Sequence, residues 1–262
     1  MPSNWFDKPE KSMADDKIPV YNHRIIAEVQ ERYTNYNYLG PYIGTVHKLK
    51  AEQPWPDLPG EFVVVLGAPS QQSHDIIKWV EDNIRKPISM PTHHHHAHAM
   101  GLPDYVKVGA KVVVPDMAKE YYHGVPSMEV GEFSRDTPFI LEHDDFRATI
   151  IHMHDNHHAK AHVYAVVMPS CVSNNSTVVV FEANLVISDT SLDTNNDHTE
   201  LWQLIQNMEY DRVSRHAEIV SVHGSLPNLG LSPLLETTGL VYPNFTPSDF
   251  KYGISECSFH DG

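Results

Sequence analysis

Apolar residues recur along the chain in the short blocks and helical repeats that are typical of alternating strands and helices. Apolar, β-branched runs predict strands at 41–50, 62–66, 87–90, 112–114, 147–153, 162–168, 177–187 and 218–222. Apolar positions at helical spacing predict helices over 21–33, 73–84, 102–108 and 199–208. The β–turn–α–β order of the first half predicts a layered α/β architecture.

The two ends of the chain lack this pattern. Residues 1–20 are polar and rich in Pro, Lys and Asp, which predicts an N-terminal arm. Residues 225–262 are rich in Pro, Gly and Ser and indicate no regular element. We expect residues 1–262 to form one domain that carries these two segments at its ends.

Charge narrows the choice of partners. Hydrophobic residues make up 41% of the chain and charged residues 20%, which is ordinary for a globular protein with a packed core. The formal net charge of −15 disfavours nucleic acids and anionic membranes, because both require a basic face. We therefore expect a small-molecule substrate, no nucleic-acid partner and no membrane attachment. A homo-oligomer is compatible with the sequence.

The cysteines and the N-terminus bear on the cellular compartment. Cys171 and Cys257 are far apart and form no metal-binding pair. Reduced thiols fit this pattern, although the chain also allows one disulfide. The first residues lack the basic and apolar stretches of a signal peptide, so we expect a cytoplasmic protein.

Histidine departs most from ordinary composition. The 19 histidines equal Lys plus Arg in number, and many fall in two segments, 93–98 and 152–162. His93, His95 and His98 follow a short apolar strand at the spacing H-x-H-x-x-H. A tight loop there can aim the first two rings at one metal, and neutral imidazoles suit Zn, Fe, Ni or Cu. A solvated histidine-rich loop is the alternative interpretation.

The flanks of this motif are informative. Residues 87–114 resemble the metallo-β-lactamase superfamily, which shows a strand, T-H-x-H-x-D-H, a glycine, a helix and G-A-x-V-V. Residues 62–80 resemble its strand–turn–helix, 180–185 its strand ending in G-D or A-D, and 220–224 its closing H-G strand. The resemblance covers about residues 40–225. It implies an α/β fold with a four-layer αββα sandwich.

The resemblance also implies a first metal site. Its ligands would be His93, His95 and His158, with His154 and His157 as competing choices for the third position. Three histidines with an open fourth position are the arrangement of a catalytic zinc ion.

At the second metal site, this chain departs from the pattern of the family. His98 and His223 match two of its ligands, but Ala97 and Asn184 stand where the family has aspartates. Gly67 stands at a third family aspartate. His98, His223 and Asn184 could equally serve as packing or hydrogen-bonding residues. The resemblance therefore implies one zinc ion rather than two, with iron or manganese as alternatives.

The function implied is a metal-dependent hydrolase of a small lactone, ester, thioester or amide. Because the motif aspartate is replaced, the base that activates water would be His98, His223 or Asp155. A site without carboxylates also suits isomerisation, elimination, cyclisation or, with iron, redox chemistry. A pseudoenzyme that binds a metal or ligand without turnover is the third hypothesis.

Overall fold

The computed structural model describes two β-sheets and the helices that flank them. The described residues are 50–51, 62–66, 73, 77, 86–91, 93–94, 96–122, 124–125, 128, 130–142, 146–187, 198–224 and 229–253. The predicted arm 1–20, the predicted helix 21–33 and all but the last residue of the predicted strand 41–50 lie outside them. Ser73 and Ile77 are helical, in agreement with the helix predicted there.

Strands and helices follow one another in the order expected of an α/β protein. The strands are β1 (Lys50–Ala51), β2 (Phe62–Leu66), β3 (Lys86–Met90), β4 (Lys111–Pro115), β5 (Val130–Phe133), β6 (Phe139–Glu142), β7 (Phe146–His152), β8 (Val163–Pro169), β9 (Val179–Ile187), β10 (Glu218–Gly224) and β11 (Leu229–Gly230). The α-helices are α1 (His96–Ala99), α2 (Leu102–Lys107), α3 (His198–Tyr210) and α4 (Leu231–Thr238), and 3-10 helices span Asp116–Tyr122 and Pro247–Asp249.

The strands form a parallel sheet and a mixed sheet. The parallel sheet has four strands in the order β2-β3-β4-β5. Parallel neighbours require crossover connections, and α1 and α2 lie in the one between β3 and β4. The mixed sheet has seven strands in the order β1-β6-β7-β8-β9-β10-β11. Its neighbours are antiparallel except β9 and β10, which run parallel.

Both faces of the parallel sheet are buried at β4. Val112 and Val114 pack in a cluster with Tyr105 of α2, so this face of the sheet meets the helices. Val113 points to the opposite face and is also fully buried. Burial on both faces explains why β4 is an unbroken run of valines rather than an alternating strand.

The mixed sheet is covered in the same way. In β8, Val166 packs in a cluster with Leu204 of α3, while its neighbour Val167 is buried on the opposite face. The rings of Phe133 in β5 and Phe139 in β6 lie 6.4 Å apart and join the two sheets. Each sheet therefore has helices on one face and the other sheet on its second face, which confirms the α/β class and the four layers predicted.

Most predicted elements in the described residues are confirmed, but several were missed. The strands at 62–66, 87–90, 112–114, 147–153, 162–168, 177–187 and 218–222 and the helices at 102–108 and 199–208 are present within two residues or so at their ends. Sequence analysis missed β5, β6, β11, α1, α4 and both 3-10 helices, because these elements are short.

The segment 225–262 is more regular than its composition indicates. Helix α4 buries Leu231, Leu234 and Leu235, which share one face by their i, i+3, i+4 spacing. The helix ends at Gly239, whose φ of 66° is the left-handed conformation that glycine adopts without strain. Further along, Phe250 is buried in the same core. Core packing therefore overrides the loop-like composition here.

Two further findings concern the compartment. Cys171 is disulfide-bonded, which is the second of the two states that the sequence allowed for the cysteines. No helix among the described residues is both long enough and apolar enough to cross a bilayer.

Candidate metal centre

The first histidine segment begins just beyond β3, at the edge of the parallel sheet. His93 is fully buried there, and His98 follows on the short helix α1 and is also buried. The two ring centroids lie 4.3 Å apart. The carboxyl edge of parallel strands is a common position for ligand-binding loops in α/β proteins. The predicted ligand His95 lies outside the described residues.

The second histidine segment connects β7 to β8 in the mixed sheet and meets the first one. The Nε2 atom of His158 lies 3.2 Å from the Nε2 atom of His93. The ring of His162 stacks on the ring of His93, with 4.8 Å between centroids and 22° between planes. The fold therefore brings rings from both segments, and from both sheets, to one buried position.

Two buried glutamates lie beside these rings. The Oε1 atom of Glu200, near the start of α3, lies 2.8 Å from Nδ1 of His158. Glu182 in β9 contacts Nε2 of His162 through Oε1 and accepts a hydrogen bond of 2.6 Å from the backbone N–H of Leu185 through Oε2. Glutamates from β9 and α3 therefore contact histidine rings of the cluster, at positions other than those of the family's replaced aspartates.

These contacts determine what the rings can bind. When Glu200 accepts a hydrogen bond from Nδ1 of His158, the neutral ring keeps its lone pair on Nε2. That atom faces Nε2 of His93 at 3.2 Å. Two imidazole nitrogens at about 2.0–2.1 Å from one tetrahedral ion lie about 3.3 Å apart. The separation and the tautomer therefore fit a pair of ligands to a single zinc ion.

A complete ligand set is not present among the residues that the structure describes. Within that part of the chain, no three His, Cys, Asp or Glu side chains are grouped so that they could hold a metal ion. His95 stays the predicted third ligand. His223 lies in β10, opposite Val186 of β9, where the register shifts by a bulge-like irregularity. The side chains of His223 and Asn184 are outside the description, so their ligand roles stay predictions.

The competing choices for the mid-chain ligand are placed differently. His154 and Asp155 are 72% and 84% exposed and form an ion pair of 2.8 Å with each other. His157 is exposed as well. Of the three histidines considered for this position, the structure brings His158 to His93.

The placement of Asp155 bears on its predicted role as a base. With His154 it lines an open cavity of about 600 Å³, whose other lining residues include Arg135, Trp202 and Tyr210. The histidines around His93 do not line this cavity. Of the candidate bases with a described side chain, His98 lies in the ring cluster and Asp155 lies in the cavity.

His94 occupies a variable position of the motif. Its ring stacks on Tyr121 with 4.2 Å between centroids and 11° between planes. Burial lowers the pKa of His94, and the nearby His158 lowers this pKa further. Stacking on Tyr121 therefore fixes the plane of the His94 ring.

Three residues at this centre were missed by sequence analysis. His162 stood in a recognised cluster without an assigned role. Glu182 is a charged residue inside an apolar strand, and Glu200 lies beside the apolar stripe of α3. A buried carboxylate in either position requires a partner, and that signal could have linked both glutamates to histidines.

Comparison with known proteins finds solved metallo-β-lactamase structures of low sequence identity to this chain. No family model and no curated protein matches the chain. Among solved structures, a metallo-β-lactamase from Staphylococcus aureus is 14% identical, with a TM-score of 0.48, over 67% of this chain and 55% of that one. One from Pontibacter korlensis is 16% identical, with a TM-score of 0.47, over 73% and 91%. One from Hirschia baltica is 19% identical, with a TM-score of 0.45, over 73% and 90%.

The fold assignment follows from the architecture itself. A four-stranded and a seven-stranded sheet lie between outer helices, and the histidine segment begins just beyond β3. With these features, the chain has the metallo-β-lactamase fold that its sequence predicts.

Proposed function

We propose that this chain is a metal-dependent hydrolase of small carbonyl compounds, namely lactones, esters, thioesters or amides. The observation that carries the proposal is the 3.2 Å approach of the Nε2 atoms of His93 and His158. These atoms come from different sheets, and Glu200 fixes the tautomer of His158. Zinc at one site is the proposed cofactor, with iron or manganese as alternatives.

The residues around the pair support hydrolytic chemistry. A zinc ion held by histidines polarises a carbonyl and lowers the pKa of a bound water toward neutrality. Glu200 keeps the proton of His158 on Nδ1, so Nε2 stays available as a ligand. His98 is the proposed base, because its ring is buried 4.3 Å from the ring of His93. His223 stays a second proposed base, and Asp155 is less suitable because its carboxylate is exposed beside His154.

The second hypothesis was a lyase, isomerase, cyclase or redox enzyme at a site without carboxylates. Glu182 and Glu200 contact histidine rings and do not replace the family's aspartates, so they do not decide against this alternative. Hydrolysis is the function that we propose, because the buried ring of His98 lies 4.3 Å from the ring of His93 and can serve as the base. A pseudoenzyme without turnover becomes one outcome of the test.

The setting of this activity is part of the proposal. We propose a single domain that acts on a small molecule, without a nucleic-acid or membrane partner, as a monomer or a homo-oligomer. The cytoplasmic location stays a prediction, and the disulfide at Cys171 speaks against it because disulfides are typical of oxidising compartments.

Metal analysis together with a substrate panel tests the proposal. The full chain, purified without a histidine tag, is assayed for metal by mass spectrometry and for hydrolysis of a lactone, a phenyl ester, a thioester and a β-lactam. We expect one zinc ion per chain and hydrolysis of at least one substrate that is lost in His158→Ala. A metal content near zero would overturn the proposal. A metal-loaded chain that hydrolyses none of the four would favour the pseudoenzyme or the non-hydrolytic alternatives.

A further inference from the structure

One face of α3 carries three polar side chains that hold the loop of the second histidine segment. The side chains are Glu200, Gln203 and Asn207, at positions i, i+3 and i+7 of the helix. This spacing places them in a row along one side of the helix. The first and third are buried, which is costly for polar groups unless they are hydrogen-bonded.

Each side chain binds a different residue of the loop. Asn207 accepts a hydrogen bond of 2.9 Å from the backbone N–H of His154 and donates one of 3.2 Å to the carbonyl of the same residue. Gln203 accepts a hydrogen bond of 2.7 Å from the N–H of His157 and donates one of 2.5 Å to the carbonyl of Asp155. These two amides therefore fix the loop through its backbone, whatever its side chains are.

The third side chain binds a ring rather than the backbone. Glu200 lies 2.8 Å from Nδ1 of His158, the ring whose Nε2 atom faces His93. Between the two amides and this ring, Asn156 accepts hydrogen bonds from the N–H groups of His158 and Ala159, at 2.9 and 3.0 Å. Hydrogen bonds therefore hold the loop at every residue from His154 to His158.

The dimensions of helix and loop match. Seven residues of helix rise about 10 Å, and four residues of extended chain span at most about 13–14 Å. The helix contacts run from Glu200 to Asn207 while the loop contacts run from His158 back to His154, so helix and loop are antiparallel. A compact turn at Asp155, which has a left-handed φ of 51°, shortens the loop to the length of the helix row.

We propose that this polar row of α3 positions the metal-binding ring of His158. Gln203 and Asn207 set the position of the loop backbone, and Glu200 sets the rotation and tautomer of the ring. Gln203 and Asn207 bind the loop backbone up to His157 and make no hydrogen bond to His158, so they are positioning residues for this ligand. The inference rests on the proposed function, in which His158 is a metal ligand.

A matched pair of substitutions on α3 tests the inference. Gln203→Ala removes both contacts to the loop. Gln206→Ala removes the same side chain three positions further along, where Gln206 lines the open cavity and, within the described residues, makes no hydrogen bond to the loop. Zinc affinity is measured by competition with a chromophoric chelator, on the full chain without a histidine tag. Partners outside the ligand shell typically contribute about 10–100-fold to metal affinity.

We expect Gln203→Ala to weaken zinc binding by about tenfold or more and Gln206→Ala to change it by less than about twofold. The visible spectrum of the cobalt-substituted chain should change in Gln203→Ala and Glu200→Ala but not in Gln206→Ala, since a loss of stability alone does not alter the coordination of bound cobalt. Glu200→Gln, which keeps an acceptor for Nδ1, should retain the cobalt spectrum. Equal affinities and identical spectra for Gln203→Ala and Gln206→Ala would overturn the inference.

A readout without metal separates this inference from the proposed function. Nitrogen-15 NMR of the histidine rings reports which ring nitrogen carries the proton. In the metal-free chain at neutral pH we expect His158 as the Nδ1–H tautomer, lost in Glu200→Ala and disturbed in Gln203→Ala. If the wild type binds no zinc, the proposed function fails. If the His158 tautomer is the same in all variants, the positioning role fails.

Discussion

The two histidine segments are alike in composition but differ in what surrounds their rings. In segment 93–98, the histidines whose side chains are described, His93, His94 and His98, are buried or half-buried where the chain leaves β3. In segment 152–162, which runs from the end of β7 to the start of β8, the histidines range from exposed to fully buried. His154 and His157 are exposed, whereas His158 and His162 each contact a buried glutamate. The density of histidines therefore indicates where in the sequence the metal centre lies, and a buried carboxylate partner indicates which histidines belong to it.

The contrast has a physical cause. A ligand ring must hold one tautomer and one rotation, and a carboxylate acceptor at the far nitrogen provides both. An exposed pair such as His154 and Asp155 is screened by water and holds its geometry weakly. We therefore expect adjacent histidines of the same loop to respond very differently to substitution.

The largest expected effect is on metal binding and compares neighbouring residues. His158→Ala should weaken zinc binding by more than the roughly 10–100-fold that an outer partner contributes, because it removes a ligand atom. His157→Ala should leave affinity within about twofold, since its backbone N–H, which binds Gln203, is retained. Competition titration with a chelator measures both. Comparable losses in the two variants would refute the assignment of His158.

The next effect compares two His–carboxylate pairs by stability. Glu182→Ala leaves His162 buried without its partner and frees the N–H of Leu185, so we expect a loss of about 1–3 kcal/mol in the free energy of unfolding. His154→Ala breaks the exposed pair with Asp155 and should cost less than about 1 kcal/mol. Urea denaturation of the metal-free chain measures both. A smaller loss for Glu182→Ala than for His154→Ala would contradict the difference between the pairs.

The smallest effect concerns pH and His152, at the start of the same segment. Burial lowers the pKa of His152, and a hydrogen bond of 2.6 Å joins its Nε2 to the carbonyl of Lys160. The unfolded chain then binds the proton more readily, so this contribution to stability is present above pH of about 6.5 and is lost as the pH falls below it. His152→Gln should flatten the fall in denaturation midpoint between about pH 7 and pH 5.5. An unchanged profile in His152→Gln would show that other groups cause the fall.

The elements that sequence analysis predicts well are those with a strong pattern. Strand β4 is a run of valines because both of its faces are buried, and α3 has a clear apolar stripe. Strand β5 is short and contains Gly131 and Glu132, so its pattern is weak, although its pairing with β4 holds it in the sheet. Tertiary pairing decides such strands, and no local pattern carries that information.

Some residues of the candidate site can likewise be predicted from the sequence, and others cannot. His93 and His98 follow from a local motif, and the order of elements indicates that a histidine of the second segment joins them. The choice of His158 over His154 and His157 does not follow from the sequence, because it depends on α3 lying against the loop. The glutamates were missed because the role of each carboxylate depends on a histidine that is distant in sequence.

Diffraction from zinc-loaded crystals at the zinc absorption edge would show whether His93 and His158 bind the same zinc ion. We expect an anomalous peak within about 2.0–2.1 Å of both Nε2 atoms, that of His93 and that of His158, with the Nδ1 atom of His158 still at Glu200. A peak on the exposed His154 or His157, or no peak near His93, would contradict it.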